Sequence, residues 1–319
     1  MSYPNSDPLL PHAEIAASPR EGDEPQGPSP ERDVLQEPPP SHALETPTAV
    51  FASGASGPDV PLREFPPDLR VPWMWIDLLW FCLFGVISSM VLTWLVAMAA
   101  MAVSHTPVTR MHAGDALTPT VLVIGQALWS IAAMLYLFAV VRMRSAEPFW
   151  RTIGWHELPS ASDAPGGFAL RFLAGGALMA VVVSVLGRYG GRNGELPIEK
   201  LFDSRLSVVM LMSLGILVAP LVEETIFRGF LYPLLARQFG VPVGIVVTGL
   251  VFGLMHAAQL WGGWMQIALL VGVGMVLTWV RARTGTVAAS YLVHLGYNSL
   301  LFLGFVIATG GLRHFTASM

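Results

Sequence analysis

From residue 71 onward the chain alternates long apolar runs with short polar connections. A membrane-spanning helix needs about 20 apolar residues. The alternating polarity of a barrel strand is absent, and backbone groups in lipid must be satisfied within their own segment, so the runs predict helices. We expect an all-α, polytopic integral membrane bundle of about seven transmembrane helices, at about residues 76–103, 118–141, 168–186, 206–222 (with helical sequence to 237), 241–258, 264–280 and 286–308.

Residues 1–70 have a different character. They hold 12 Asp and Glu against 4 Arg, and 15 of the 25 prolines. Such a segment buries too little apolar surface to offset the entropy of ordering. We predict a disordered, acidic, Pro-rich tail at 1–70 and one membrane domain at 71–319. Two alternatives stay open for the tail, which are binding of an unidentified partner and no binding role.

Composition and charge bear on location. Hydrophobic residues make up 53% of the chain and charged residues 13%, whereas soluble domains are about a quarter charged. The bias of 17 Arg against one Lys is typical of a high-GC bacterial source, which predicts a multi-pass protein of a bacterial plasma membrane. Eight basic residues flank the spans on the N-terminal side and six on the other, which favours a cytoplasmic N-terminus.

A few polar and ionisable side chains interrupt the last apolar runs. Ionisable groups at membrane depth cost several kcal/mol unless they are paired or line a wet cavity, so they are candidates for function by default. The candidates are Glu223, Glu224, Arg228, His256, His294 and Asn298.

The two glutamates differ in their expected partners. Glu224 and Arg228 are four residues apart, so they share a helix face and can form an ion pair. Glu223 points about 100° away and lacks that partner, which leaves it available as a general base. The alternative is a solvated helix end among the headgroups. Apolar residues on both sides, at 218–222 and 230–231, favour burial.

Two further pairs have the same spacing. Phe252 can pack beneath the imidazole of His256, and His294 and Asn298 can point into one cavity. The second pair could donate hydrogen bonds to a developing oxyanion. The alternatives are a hydrogen-bonded core histidine at His256, and a pair at 294 and 298 that only joins helices, worth about 1 kcal/mol.

Together these groups suit amide hydrolysis by an activated water molecule. In this interpretation Glu223 and His256 deprotonate the water. His294 and Asn298 stabilise the tetrahedral oxyanion.

Three motifs occur in order on successive apolar runs. They are Glu-Glu-x-x-x-Arg at 223–228, Phe-x-x-x-His at 252–256 and His-x-x-x-Asn at 294–298. Over about residues 205–300 the chain resembles the CPBP intramembrane protease family, which includes the type II CAAX prenyl endopeptidases and bacterial relatives linked to bacteriocin immunity. The resemblance implies catalysis by Glu223 and His256 on water and an oxyanion site at His294 and Asn298. It also implies that Glu224 and Arg228 support the site, with Phe252 beneath it.

The resemblance also implies an activity and its partners. We expect an intramembrane endopeptidase, a hydrolase acting on a membrane-embedded or lipidated substrate of the prenylated CAAX type within the lipid bilayer, with no nucleic-acid partner. The family is often labelled metalloprotease, and Glu223, His256 and His294 could supply three ligands to a divalent metal such as zinc. No His-Glu-x-x-His helix is present, and the oxyanion interpretation uses the same groups without a metal. The preferred interpretation therefore requires no cofactor.

Two other functions compete with the protease. A non-catalytic scaffold or bacteriocin self-immunity factor would keep the fold for partner binding. A proton-coupled transporter would relay protons through buried Glu and His. Transporters more often show repeated halves with broken helices, whereas the polar groups here all fall in the last 100 residues. Retention of every motif position favours the enzyme.

Overall fold

The structure is a computed structural model that describes residues 66–104, 119–158, 167–190 and 205–308. Every regular element in these ranges is helical, which confirms the all-α prediction. Residues 1–65 of the predicted tail lie outside the described residues. The helices are α1 Trp75–Ser104, α2 Pro119–Arg144, α3 Phe149–Thr152, α4 Gly167–Gly187, α5 Arg205–Ser213, α6 Ala219–Glu224, α7 Tyr232–Phe239, α8 Val241–Met255, α9 Trp264–Thr284 and α10 Val287–Ala308.

Within the described residues, six helices are long and apolar enough to cross a membrane, and a seventh is shorter. One span, Val208–Phe239, combines most of α5 with α6 and α7. The short helix is α8, whose 15 residues rise about 22 Å, less than the hydrocarbon core of about 30 Å. In the described part of the chain, the multi-pass membrane architecture therefore has six long helices and a short one that ends next to His256.

Helix α8 ends three residues earlier than the sequence predicted. The amide nitrogens of His256 and Ala257 donate to the carbonyls of Gly253 and Leu254, which tightens the last turn, and turns follow as far as Gly262 with φ 92°. Irregular backbone at membrane depth is tolerated where protein buries it or where it lines a cavity. His256 stands at this helix end.

Two wide turns interrupt the span that carries the Glu-Glu motif. Residues Leu214–Val218 and Thr225–Leu231 are π-helical, and each segment ends two residues before a proline, Pro220 or Pro233. Proline has no N–H to donate, and its ring clashes with the carbonyl four residues back, so a wider turn accommodates it. The first π segment therefore precedes the motif, and the second includes Arg228.

Glycines bring neighbouring helices into close contact. A Cβ atom at Gly249 would come 2.7 Å from the backbone nitrogen of Met275, and one at Gly253 would come 2.8 Å from that of Val271. Because those positions are glycine, α8 packs directly on the backbone of α9. A Cβ atom at Gly296 on α10 would overlap the backbone of α4 in the same way. These contacts fix the helices that carry His256 and His294.

The last residues of the predicted tail are part of the helical body. Pro67–Leu69 forms a 3-10 turn, and Leu69 is buried against Tyr232 and Ala236 of α7. The carboxylate of Asp68 accepts a hydrogen bond from Arg281 at 3.0 Å. Residues 66–70 thus differ from the disorder predicted for 1–70, because their side chains find partners on α7 and α9.

The direction of the helices separates two faces of the protein. Arg237, at the end of α7, donates to the carbonyls of Val71 and Trp73, so α7 ends at the face where α1 begins. Helix α8 starts there and carries His256 toward the opposite face. With a cytoplasmic N-terminus, the loop after His256 would lie on the external side.

Labelling of single cysteines tests this arrangement. In a Cys82→Ala background, we expect Ala258→Cys to react with a membrane-impermeant maleimide in intact cells. Ala146→Cys, which follows α2, should react only after permeabilisation. Labelling of both positions from one side would contradict the helix directions, and the reverse pattern would contradict the cytoplasmic N-terminus.

Candidate active site

The centre of the site is a buried ion pair on one helix. Arg228 Nη1 donates to Glu224 Oε1 at 2.9 Å, and both side chains are fully buried. Charges taken out of water are tolerated when they are paired and hydrogen-bonded, and here Oε1 of Glu224 accepts the bond while Oε2 has no partner among the described residues. The spacing of four residues predicted this pair, and the structure brings the two groups together.

The other donors of Arg228 reach α9. Nη2 donates to the carbonyl of Gly274 at 2.8 Å, and Nε donates to Thr278 Oγ1 at 3.3 Å. The guanidinium also lies 4.6 Å from the ring centroid of Phe252. Sequence reasoning missed Gly274 and Thr278. A threonine one helical turn after a glycine in an apolar helix was a faint signal for them.

His294 connects the ion pair to the catalytic candidates. Its Nδ1 lies 2.9 Å from Glu224 Oε1, and its Nε2 lies 3.8 Å from Glu223 Oε2. A carboxylate without a proton only accepts hydrogen bonds, so His294 Nδ1 carries the hydrogen. Glu224 therefore orients both Arg228 and His294.

Glu223 and His256 face each other across a gap. His256 Nδ1 lies 2.8 Å from the carbonyl oxygen of Phe252, so Nδ1 carries a hydrogen and donates it. His256 Nε2 then points at Glu223 Oε1 at 3.8 Å, too far for a direct hydrogen bond. In the neutral imidazole, Nε2 is an acceptor like the carboxylate. Two acceptors at this separation suit a group that donates to both, such as water.

Phe252 packs among these groups. Its ring centroid lies 4.9 Å from that of His256 and 5.8 Å from that of His294. Sequence spacing predicted the first contact, whereas the second joins α8 to α10. An apolar ring between two imidazoles restricts their rotation and excludes water from that side.

Asn298 is held by the first π segment. Its Nδ2 donates to the carbonyl of Gly215 at 2.7 Å. The amide keeps a second hydrogen for another acceptor. The sequence predicted Asn298 as a donor beside His294 but did not indicate that Gly215 positions it.

The candidate residues line one cavity of about 1140 Å³. Glu223, Phe252, His256, His294 and Asn298 all contribute to its wall, and Glu224 and Arg228 lie behind them. The side chain of Glu223 is 24% exposed, which lets a reactant reach it. Much of the remaining wall is apolar and comes from α2, α4, α9 and α10. The cavity could therefore hold an apolar substrate against a small polar site.

Three of these residues are the expected metal ligands. Glu223, His256 and His294 are donor types that zinc accepts. Among the residues that the structure describes, however, no group of three His, Cys, Asp or Glu side chains is placed to hold a metal ion. These three would have to move closer together to do so.

Comparison with known proteins agrees with the motifs. Residues 205–300 match the family model described as "Type II CAAX prenyl endopeptidase Rce1-like". No curated protein and no solved structure matches the chain significantly. The match runs from α5 into α10 and contains every candidate residue named above. It confirms the resemblance and supports a protease of the intramembrane kind.

Replacement of Arg228 tests whether its ion pair with Glu224 stabilises the site. Arg228→Ala leaves Glu224 buried beside an empty space, and we expect a loss of about 3 to 5 kcal/mol in the free energy of unfolding. Glu223→Gln should keep the fold, because Glu223 is partly exposed and lies 3.8 Å from the ring nitrogens of His256 and His294, beyond hydrogen-bond distance. Thermal unfolding of the purified protein in detergent measures both changes.

Arg283→Ala is the matched control, since Arg283 lies at the end of α9 over the ring of Trp279. It should change stability by less than about 1 kcal/mol. If Glu223→Gln unfolds the protein while Arg228→Ala is harmless, the roles of the two glutamates are reversed.

Proposed function

From the match of residues 205–300 to the CAAX endopeptidase family, we propose that the protein is an intramembrane endopeptidase that hydrolyses a peptide bond of a membrane-associated substrate. The observation that carries the proposal is the gap of 3.8 Å between Glu223 Oε1 and His256 Nε2, which opens into the large cavity. A non-catalytic scaffold gives no reason for such a gap.

The gap suggests how water is activated. A water molecule between the two groups donates one hydrogen to Glu223 and the other to His256. As its oxygen bonds to the scissile carbonyl carbon, Glu223 takes a proton. That proton then passes to the leaving nitrogen when the C–N bond breaks, and the products are a carboxylic acid and an amine.

The negative charge that develops on the scissile carbonyl oxygen needs hydrogen-bond donors away from the attacking water. His294 already donates Nδ1–H to Glu224, so a second donor at Nε2 requires the imidazolium form. The free hydrogen of the Asn298 amide is the second donor. These two groups form the proposed oxyanion site.

The proposed substrate is a lipidated or membrane-embedded peptide, with a prenylated CAAX-type C-terminus as the leading candidate. An apolar cavity of about 1140 Å³ has room for an extended peptide and part of an attached chain. We propose that no metal ion is required, and that the protein acts in a bacterial plasma membrane with its N-terminus in the cytoplasm. The tail would then be free to bind a partner on that side.

Cleavage assays test the enzyme. Purified, reconstituted protein should cleave a member of a panel of prenylated and unprenylated membrane peptides, with and without chelator. We expect Glu223→Gln and His256→Ala to lose cleavage while keeping their thermal stability. Glu147→Gln removes an exposed carboxylate far from the cavity and should retain full activity.

The remaining outcomes separate the alternatives. Cleavage that persists in Glu223→Gln would overturn the proposed base, and no cleavage of any peptide by the parent protein would favour a scaffold. Loss of cleavage with chelator and its recovery with zinc would show that an ion is needed. A strict requirement for a prenyl group would assign the CAAX-type substrate.

The oxyanion site has its own prediction. Removal of one oxyanion donor costs about 10²- to 10³-fold in kcat, so Asn298→Ala should lower kcat by that amount with little change in KM. Gln126→Ala removes an amide from another part of the cavity wall and should leave kcat within about twofold of the parent. Steady-state kinetics with one cleaved peptide measures both variants. An unchanged kcat in Asn298→Ala would remove it from the site.

A further inference from the structure

A second cavity of about 890 Å³ lies at the face where α1 begins. It shares no lining residue with the catalytic cavity. Its wall is rich in cations, with four arginines and a histidine against two carboxylates. These residues are Arg70, Arg151, Arg237, Arg281, His156, Asp68 and Glu147.

The two carboxylates leave this wall positive. Arg281 pairs with Asp68 at 3.0 Å, whereas Arg151 lies 3.9 Å from Glu147 in an exposed and therefore weak pair. Arg237 donates to two backbone carbonyls, which are neutral and leave its charge in place. Arg70 apart, three guanidinium groups face two carboxylates, so the formal charge of this part of the wall is about +1 at neutral pH.

The pKa of His156, in the same wall, is lowered from its ordinary value. Burial lowers the pKa of its imidazole most, and the charges of Arg281 and Arg151 lower it further. The nearby Asp68 and Glu147 act in the opposite direction without reversing the shift. The cavity thus disfavours an added cation and attracts an anion.

Arg281 is the deepest cation in this wall. Its side chain is 1% exposed, and its Nε is buried with no acceptor among the described residues. A buried donor without an acceptor is unfavourable, and an anion oxygen that reached it would supply the missing acceptor. Gly154, with φ 94°, keeps this region open, because a Cβ atom there would come 3.0 Å from Arg281 Nη2.

The cavity lies at the level of exposed aromatic side chains. Trp75 at the start of α1 and Trp150 on α3 are 41% and 47% exposed. Tryptophan is enriched where the membrane meets water, which is also the level of lipid headgroups. Basic pockets between helices on the cytoplasmic side bind anionic headgroups.

We propose that this cavity binds a phosphate group, supplied by the headgroup of an anionic phospholipid or by free phosphate. Guanidinium groups pair with phosphate oxygens through two parallel hydrogen bonds, and Arg151, Arg237 and Arg281 are the donors. Binding would stabilise the turn at Pro67–Leu69, which joins the tail to the helical body.

The test compares ligands on the full-length protein in detergent. Phosphatidylglycerol, phosphatidylcholine and inorganic phosphate are titrated separately, with native mass spectrometry and thermal unfolding as readouts. We expect phosphatidylglycerol to bind and raise Tm, and phosphatidylcholine to do neither. Stabilisation by inorganic phosphate that competes with phosphatidylglycerol would assign the same site to the phosphate group alone.

Two variants place the site in this cavity. Arg151→Gln removes one donor, and the double variant Asp68→Asn with Arg281→Gln removes the buried pair while keeping its shape. Each should weaken phosphatidylglycerol binding about tenfold, the value of one hydrogen bond to a charged group. Arg171→Gln changes an exposed arginine on α4 that does not line the cavity and should bind like the parent.

Three results would overturn the proposal. The first is equal binding of phosphatidylglycerol and phosphatidylcholine with no effect of phosphate. The second is an equal loss in Arg171→Gln. The third is unchanged binding in both cavity variants when their Tm without ligand shows that they are folded.

Discussion

The buried pair of Glu224 and Arg228 is the interaction on which the arrangement of the last helices depends. Arg228 donates to the carbonyl of Gly274 on α9, and Glu224 holds the imidazole of His294 on α10. One carboxylate and one guanidinium therefore tie three helices together in an apolar interior. Because two buried charges satisfy each other only in a narrow range of positions, this pair fixes the helices more sharply than apolar contacts alone would.

The two adjacent glutamates acquire different roles from this constraint. Glu224 pairs with Arg228 and His294. Glu223 instead points into the cavity toward Nε2 of His256. The prolines that widen the helix before and after the motif place a carbonyl at Gly215 where Asn298 can reach it. A cavity wall thus forms from side chains of helices that are each mostly apolar.

The two cavities lie toward opposite faces of the helical body. The proposed catalytic cavity is lined by the end of α8 and the residues that follow it, and the basic cavity lies where α1 begins and α9 ends. The short helix α8 runs between these two faces. It starts beside the basic cavity and ends at His256. A phosphate bound at one face would therefore hold the helices whose other ends carry the proposed catalytic groups, through rigid elements rather than direct contact.

The sequence by itself determined the helices, the pairing of Glu224 with Arg228, the packing of Phe252 against His256, and the resemblance to the CAAX endopeptidase family. Each follows from periodicity within one segment or from motif spacing. Only the tertiary structure decided that Arg228 reaches Gly274, that Asn298 donates to Gly215, and that Asp68 pairs with Arg281, contacts separated by 46, 83 and 213 residues. The physical reason is that helix geometry sets which neighbours share a face, whereas partners on other helices depend on how closely glycines let those helices pack.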